Sequence, residues 1–187
     1  MTVEEPSARP RIRQVAERKV FENDYISVFN DDVLIVGEFP AQHLKIVERD
    51  GKPGAAVLAR CRDRYALVLN DRYPTGAWEW GIPRGFAHSG DPEHTARSEL
   101  AEELGGLPSR LVPLGIVTPN SGLLASRVHV FLAEFDEQVS APADPTEIAL
   151  VRWIGLPELY DEIADGRITD GFTLSALTLA TVRRLLG

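Results

Sequence analysis

A chain of 187 residues, 44% hydrophobic and 26% charged, suits one globular domain with a short appended arm. The formal net charge of −8, with no basic block beyond a scatter of Arg9, Arg11, Arg13, Arg18 and Lys19, argues against nucleic acid or any other polyanion as a direct partner. A single cysteine, Cys61, rules out a disulfide framework and a thiolate metal cluster; with no secretory leader and no apolar run of membrane-spanning length, a soluble cytoplasmic protein without a membrane partner is expected.

Residues 1–17, rich in Pro, Arg and Glu, read as a flexible leader. From Lys19 to Val47, β-forming residues alternate or run together, as in YISVFNDDVLIV, where Asn30-Asp31-Asp32 reads as a turn between strands. Residues 18–52 are therefore expected to form a small β arm. The turn-rich Asp50-Gly51-Lys52-Pro53-Gly54 closes it, and the main domain occupies 53–187. In that domain GAAVLARC and YALVLN read as short strands, followed by a loop through Tyr73-Pro74-Thr75-Gly76 and a strand ending at Trp80-Gly81-Ile82-Pro83. Asp91 before Pro92 is a helix start and Gly105-Gly106 a helix stop, giving a helix over about Pro92–Leu104. Strands follow at LVPLGIVT, RVHVFLAEF and IALVRWIG, then helices at LPELYDEIADG and from Phe172 to Leu186. Strands before, between and after helices predict an α/β (α+β) fold: a mixed sheet sandwiched by helices.

The predicted helix of ARSELAEELGG crowds Glu99, Glu102 and Glu103 onto neighbouring positions. At an effective dielectric of 20 and a separation of 5 Å, each pair repels by about 3 kcal/mol before screening. A hard cation such as Mg²⁺ or Mn²⁺, reached also by backbone carbonyls of the preceding Pro83-Arg84-Gly85 turn, resolves that repulsion; a solvated acidic stripe is the alternative. Arg97 has Glu93 as its i,i+4 partner. His88 and His94 lack the spacing of a zinc site, and Asn120-Ser121-Gly122 lacks the glycines of a nucleophile elbow.

The longer stretch GFAHSGDPEHTARSELAEELGG resembles the Nudix box, G-x5-E-x7-R-E-U-x-E-E-x-G-U, with U a bulky aliphatic residue. Glu99, Leu100, Glu102, Glu103 and Gly105 match its second half position by position. The loop after Gly85 is one residue short, Gly90 stands at the first acidic position with Asp91 beside it, Ser98 stands at the arginine, and Gly106 at the last aliphatic position. Asn70-Asp71-Arg72-Tyr73-Pro74, Thr118-Pro119-Asn120-Ser121-Gly122 and Asp165–Asp170 extend the resemblance to the ADP-ribose and nucleotide-sugar pyrophosphatase branch, which often has Glu where Gly81 stands and Ala where Arg84 stands.

The resemblance implies divalent-metal-dependent hydrolysis of a diphosphate linkage in ADP-ribose or a related nucleoside diphosphate sugar, giving two monophosphates. It implies Glu99 and Glu103 as metal ligands, with Glu102 sharing the site and the carbonyl of Arg84 or Gly85 completing it. It also implies a general base on the loop Ser140–Glu147: Glu147, with Glu102 as alternate and Asp144 as a further candidate. Arg72 resembles the arginine that grips the substrate's phosphate or ribose, Arg84 lies at a pocket position, and Trp78 or Trp80, on one face of a strand, suits base stacking or the core. The arm is expected to make a homodimer, since an isolated hairpin needs a surface to cover. Two other readings remain: a nucleotide-ligand sensor without turnover, and a hydrolase of dinucleoside polyphosphates or nucleoside triphosphates.

Overall fold

The computed structural model describes residues 11–36, 38–86, 90–142 and 148–186. The chain divides into two compact units, one of residues 1–51 with 120–125 and one of 52–119 with 126–187. No helix among the described residues is long and apolar enough to cross a membrane.

In the first unit, β1 (Ile12–Ala16), β2 (Lys19–Glu22), β3 (Ile26–Ile35) and β4 (Phe39–Glu48) form an antiparallel sheet. β3 is central. β4 pairs with it from Ile26 opposite Glu48 to Ile35 opposite Phe39, while β1 and β2 share its other edge. β1 falls inside the stretch expected to be a leader, and Gln14 ties it to β3 by donating to Asp31 at 2.8 Å.

The turn expected at Asn30-Asp31-Asp32 does not form, and β3 runs straight through it. Asn and Asp favour turns when their side chains bond their own backbone. Here each has a partner on another segment instead. Asn30 donates to Gln42 at 3.1 Å, Asp31 accepts the Arg18 N–H at 3.0 Å and pairs with Lys45 at 3.1 Å, and Asp32 accepts from Arg18 Nε at 2.7 Å. Residues 120–125 return to this unit: Ile46 N–H donates to the Leu123 carbonyl and Ala125 N–H to the Ile46 carbonyl, each at 2.9 Å.

The second unit carries β5 (Gly54–Cys61), β6 (Arg64–Arg72), β7 (Ala77–Gly81), β8 (Arg84–Gly85), β9 (Arg110–Val117), β10 (Val128–Glu134) and β11 (Ile148–Gly155), with helices α1 (Pro92–Glu103), α2 (Leu156–Ala164) and α3 (Gly171–Val182). The sheet order is β11-β6-β5-β10-β9, with β7 added to β6 and β8 to β5. β5 and β10 are parallel and the other pairs antiparallel, so the sheet is mixed.

The near-continuous apolar run of β5 is that of a strand covered on both faces. Ala56 and Leu58 join Leu67, Val130 and Leu132 against Leu159 of α2 and Ala176, Leu177 and Ala180 of α3. Ala55, Val57 and Ala59 face the other way with Ala66, Val68 and Ala133, against Ala96 and Leu100 of α1. This is the α/β/α sandwich expected from the sequence. α3 stops at Val182, short of the expected Leu186, where Arg184 turns to a positive φ of 57°.

One topological detail creates the site. β5 and β6 pair only beside their hairpin, at Arg60 with Tyr65 and Cys61 with Arg64, and then part. β7 fills the gap along β6 and β8 along β5, and the Pro83 carbonyl accepts the Val57 N–H at 2.8 Å. The turn Ile82-Pro83-Arg84 is thereby wedged into the sheet beneath α1.

Candidate active site

α1 begins as its sequence dictates. The Asp91 side chain accepts the Glu93 N–H at 3.0 Å, and Pro92 occupies the first turn, where no N–H is needed. It ends at Gly105, whose φ of 82° suits glycine and whose Cα lies against the Ala141 carbonyl, 1.8 Å from where a Cβ would stand.

Helical phase then sorts the three glutamates. Glu99 and Glu103, one turn apart, face inward and are only 7% and 4% exposed, whereas Glu102 is exposed on the adjoining face. Arg97 points away and pairs with Glu93 at 3.1 Å, as the i,i+4 spacing predicted.

The buried pair meets β8. Glu103 Oε2 accepts the Arg84 backbone N–H at 3.2 Å. Glu99 lies so close to Gly85 that an added Cβ would stand 2.2 Å from its Oε1, so glycine is what admits this carboxylate. Two carboxylates beside the peptide groups of a strand turn make a hard, all-oxygen donor set. It fits Mg²⁺ or Mn²⁺, which take one or two protein carboxylates and complete their shell with water and substrate phosphate. Among the described residues, no three His, Cys, Asp or Glu side chains form a metal site by themselves.

Beside the acids lies a second charged group. Arg84 Nη2 reaches Asp170 Oδ1 at 3.2 Å and Glu79 Oε2 at 3.9 Å, and its guanidinium lies 4.8 Å from the centre of the Phe172 ring. Arg72 Nε stands 3.4 Å from the same Glu79 oxygen. Burial, and next the charge of Arg84, push the Arg72 pKa down from its ordinary value, against the pull of Glu79, Asp170 and Glu103. The two guanidinium groups are thus close neighbours. Asp170 is fixed from behind: as the N-cap of α3 it accepts the Thr173 N–H at 2.9 Å and hydroxyl at 2.7 Å, and the Thr173 hydroxyl accepts the Ile82 N–H at 3.0 Å.

Trp78 is 60% exposed, while Trp80, two residues on, packs against the core with the Arg152 guanidinium 4.2 Å above its ring. Arg152 is held by Glu162 of α2. Glu147 and Asp144 lie outside the described residues, as does His88. The structure therefore brings Glu99, Glu103, Arg72 and Arg84 into one region and leaves Glu102 and Trp78 on exposed faces.

Sequence reasoning passed over Glu79 and Asp170 as site residues. Asp170 carried a local signal, an acid three residues before Thr173 at a helix start. Glu79 carried none, since a carboxylate between two tryptophans on a strand reads as an ordinary outward-facing residue.

The NUDIX domain family model matches residues 51–172. The CMP-5'-(N-acetyl-N-hydroxy-3-aminopropyl)phosphonate hydrolase of Streptomyces rubellomurinus is 29% identical over 167 residues, covering 87% of this chain and 79% of that protein. The ADP-ribose pyrophosphatase of Bacillus subtilis is 30% identical over 125 residues, 65% of each. Among solved structures, one described as an ADP compounds hydrolase superposes with a TM-score of 0.77 at 18% identity, over 96% of both chains, and so shares the fold. With the family model spanning most of the chain and two of the box acids, Glu99 and Glu103, buried against the Pro83-Arg84-Gly85 turn, the chain belongs to the NUDIX domain family.

Proposed function

We propose that this protein hydrolyses the diphosphate linkage of ADP-ribose or a related nucleoside diphosphate sugar, giving two monophosphates. The observation that carries the reading is the juxtaposition of the buried pair Glu99 and Glu103, seated on the β8 turn, with the guanidinium groups of Arg72 and Arg84. The ADP-ribose pyrophosphatase and CMP-phosphonate hydrolase among its relatives support a nucleoside diphosphate or phosphonate derivative as substrate.

Glu99 and Glu103 would hold Mg²⁺ or Mn²⁺, with the carbonyl of Arg84 or Gly85 completing the protein's share and Glu102 reaching the same region from the exposed face. The bound cation supplies Lewis-acid polarisation of phosphorus and a lowered pKa for water. Arg72 and Arg84 bind phosphate oxygens, the planar guanidinium being suited to two parallel contacts. Glu147 takes the proton of the attacking water, with Glu102 or Asp144 as alternates, and Trp78 offers an exposed ring on which a base can stack.

The reading includes a cytoplasmic homodimer, in keeping with the single reduced Cys61, and assembled through the first unit. Val15, Val20, Phe21, Tyr25 and Phe39 leave large apolar side chains exposed there. Light scattering of the full chain is expected to give twice the 20.6 kDa monomer mass.

The deciding experiment is a hydrolysis screen with Mg²⁺ over ADP-ribose, other nucleotide sugars, a CMP-linked phosphonate, dinucleoside polyphosphates and nucleoside triphosphates. Turnover of a diphosphate sugar that a chelator abolishes is the expected result. Binding without turnover would establish a sensor instead, and undiminished turnover in metal-free buffer would overturn the mechanism.

A further inference from the structure

We infer that Glu79 is an internal stand-in for a substrate anion: its carboxylate occupies the space between Arg72 and Arg84 and leaves it when a phosphate group of the ligand arrives. The inference rests on the proposed reading for the identity of that ligand and on the geometry below for the subsite itself.

The two acids that touch the arginines are held differently. Asp170 is anchored by the Thr173 N–H and hydroxyl and approaches Arg84 to 3.2 Å. Glu79 approaches the same guanidinium only to 3.9 Å and Arg72 Nε only to 3.4 Å, both longer than the 2.7–2.9 Å typical of a charge-assisted hydrogen bond. The Nε atoms of Arg72 and Arg84 are buried with no hydrogen-bond partner among the described residues. Donors are thus present in excess of what Glu79 satisfies. A tetrahedral phosphate, with several oxygens, can use donor directions that a single shared carboxylate oxygen cannot.

The side chains of Arg72, Arg84 and Glu79 are each about a quarter exposed, so the group reaches solvent, and Glu79 belongs to neither apolar cluster of the core, which leaves its carboxylate room to turn outward. An ion pair this long and this exposed holds weakly and yields to a better-fitting anion.

Charge points the same way. Arg72 and Arg84 are formally balanced by Glu79 and Asp170, leaving nothing over for a diphosphate. Moving one carboxylate away takes a like charge out of the path of an arriving phosphate and frees the guanidinium donors it faced, with Glu103 still close by on the Arg84 N–H, whereas two bare guanidinium groups side by side would repel each other in the free protein. Glu79 thus keeps Arg72 and Arg84 together and oriented until phosphate replaces it. Asp170, which is not displaced, positions Arg84 throughout.

The test is titration of inorganic phosphate into the full-length protein without divalent metal, followed calorimetrically, for the wild type, Glu79→Gln, Glu79→Ala and Arg84→Ala. Removing the competing charge is expected to tighten phosphate binding by about two- to fivefold in both Glu79 variants, the range set by a weak exposed ion pair. Arg84→Ala should lose the binding. Phosphate affinity unchanged or weakened in both Glu79 variants, with their thermal melts intact, overturns the inference. The screen for hydrolysis separates the two readings: tighter phosphate binding in a protein that turns over no diphosphate keeps the stand-in and sinks the proposed reaction, and turnover with no gain in the Glu79 variants does the reverse.

Discussion

Arg84 and Glu103 are joined through the backbone of one and the side chain of the other: the Arg84 N–H donates to Glu103 Oε2 at 3.2 Å, while the Arg84 guanidinium extends to Asp170 at 3.2 Å. One residue therefore spans the proposed metal ligands on α1 and the charged group at the start of α3. A shift in the β8 turn is felt at both, and the expected effects of substitution follow from which of Arg84's bonds is touched.

Glu103→Gln keeps an acceptor for the Arg84 N–H but removes the charge. Metal affinity should fall and turnover should drop by about two to three orders of magnitude, the scale of losing a preorganised electrostatic stabiliser. The thermal melt of the metal-free protein should change little, because the hydrogen bond survives. Glu147→Gln, in contrast, should lower kcat with metal affinity retained. Metal titrations and kcat for both variants are the measurement, and equal small effects would show that neither carboxylate has the role proposed for it.

Gly85→Ala places a Cβ 2.2 Å from the present position of Glu99 Oε1. The atom it meets is the far end of a flexible side chain, so the carboxylate moves rather than the strand. Stability should fall by about 1 kcal/mol, the low end for overpacking because only a side-chain end gives way, while metal affinity falls at least about tenfold. A melt and a Mn²⁺ titration on one sample distinguish this from general unfolding, which would lower both together.

Asp170 has two duties that substitution can separate. Asn at this position still caps α3 but no longer offers Arg84 a charge, so Asp170→Asn should raise KM with a nearly unchanged melting temperature. Asp170→Ala loses the cap as well and strands buried donors, and should cost about 1–3 kcal/mol. Chemical denaturation alongside steady-state kinetics reads both.

In the first unit, burial alone would raise the Asp31 pKa. The Arg18 N–H, Lys45 and Gln14 outweigh it and hold the carboxyl below its ordinary value of 3.8. A depressed carboxylate contributes stability that is present above the unfolded value and lost as pH falls through the folded one. Melting temperatures taken from about pH 6 down to about pH 3 should therefore decline in the wild type and decline less in Asp31→Asn, which starts lower. Parallel curves for the two proteins would show that Asp31 is not the group titrated.

What the sequence determined by itself was local. The α1 cap at Asp91 and Pro92, its end before Gly105, the Arg97–Glu93 pair and the short β-forming runs of β5, β10 and β11 all depend on residues a few positions apart, whose geometry a helix or strand sets directly. The box acids were legible for the same reason, and helical phase alone puts Glu99 and Glu103 on one face. Tertiary structure decided the rest. Whether Asn30-Asp31-Asp32 turned or ran on depended on donors from Gln14, Arg18, Gln42 and Lys45, and the return of residues 120–125 to the first unit depended on bonds to Ile46. The parting of β5 from β6, which seats Arg84 beneath α1, is a matter of which strand edges find partners. Arg72 and Glu79 meet across the β6–β7 hairpin, but their meeting with Arg84 on β8 and with Asp170, the cap of a helix that starts some ninety residues further on, is a consequence of that pairing, because those charges become neighbours only once the sheet has closed around the turn.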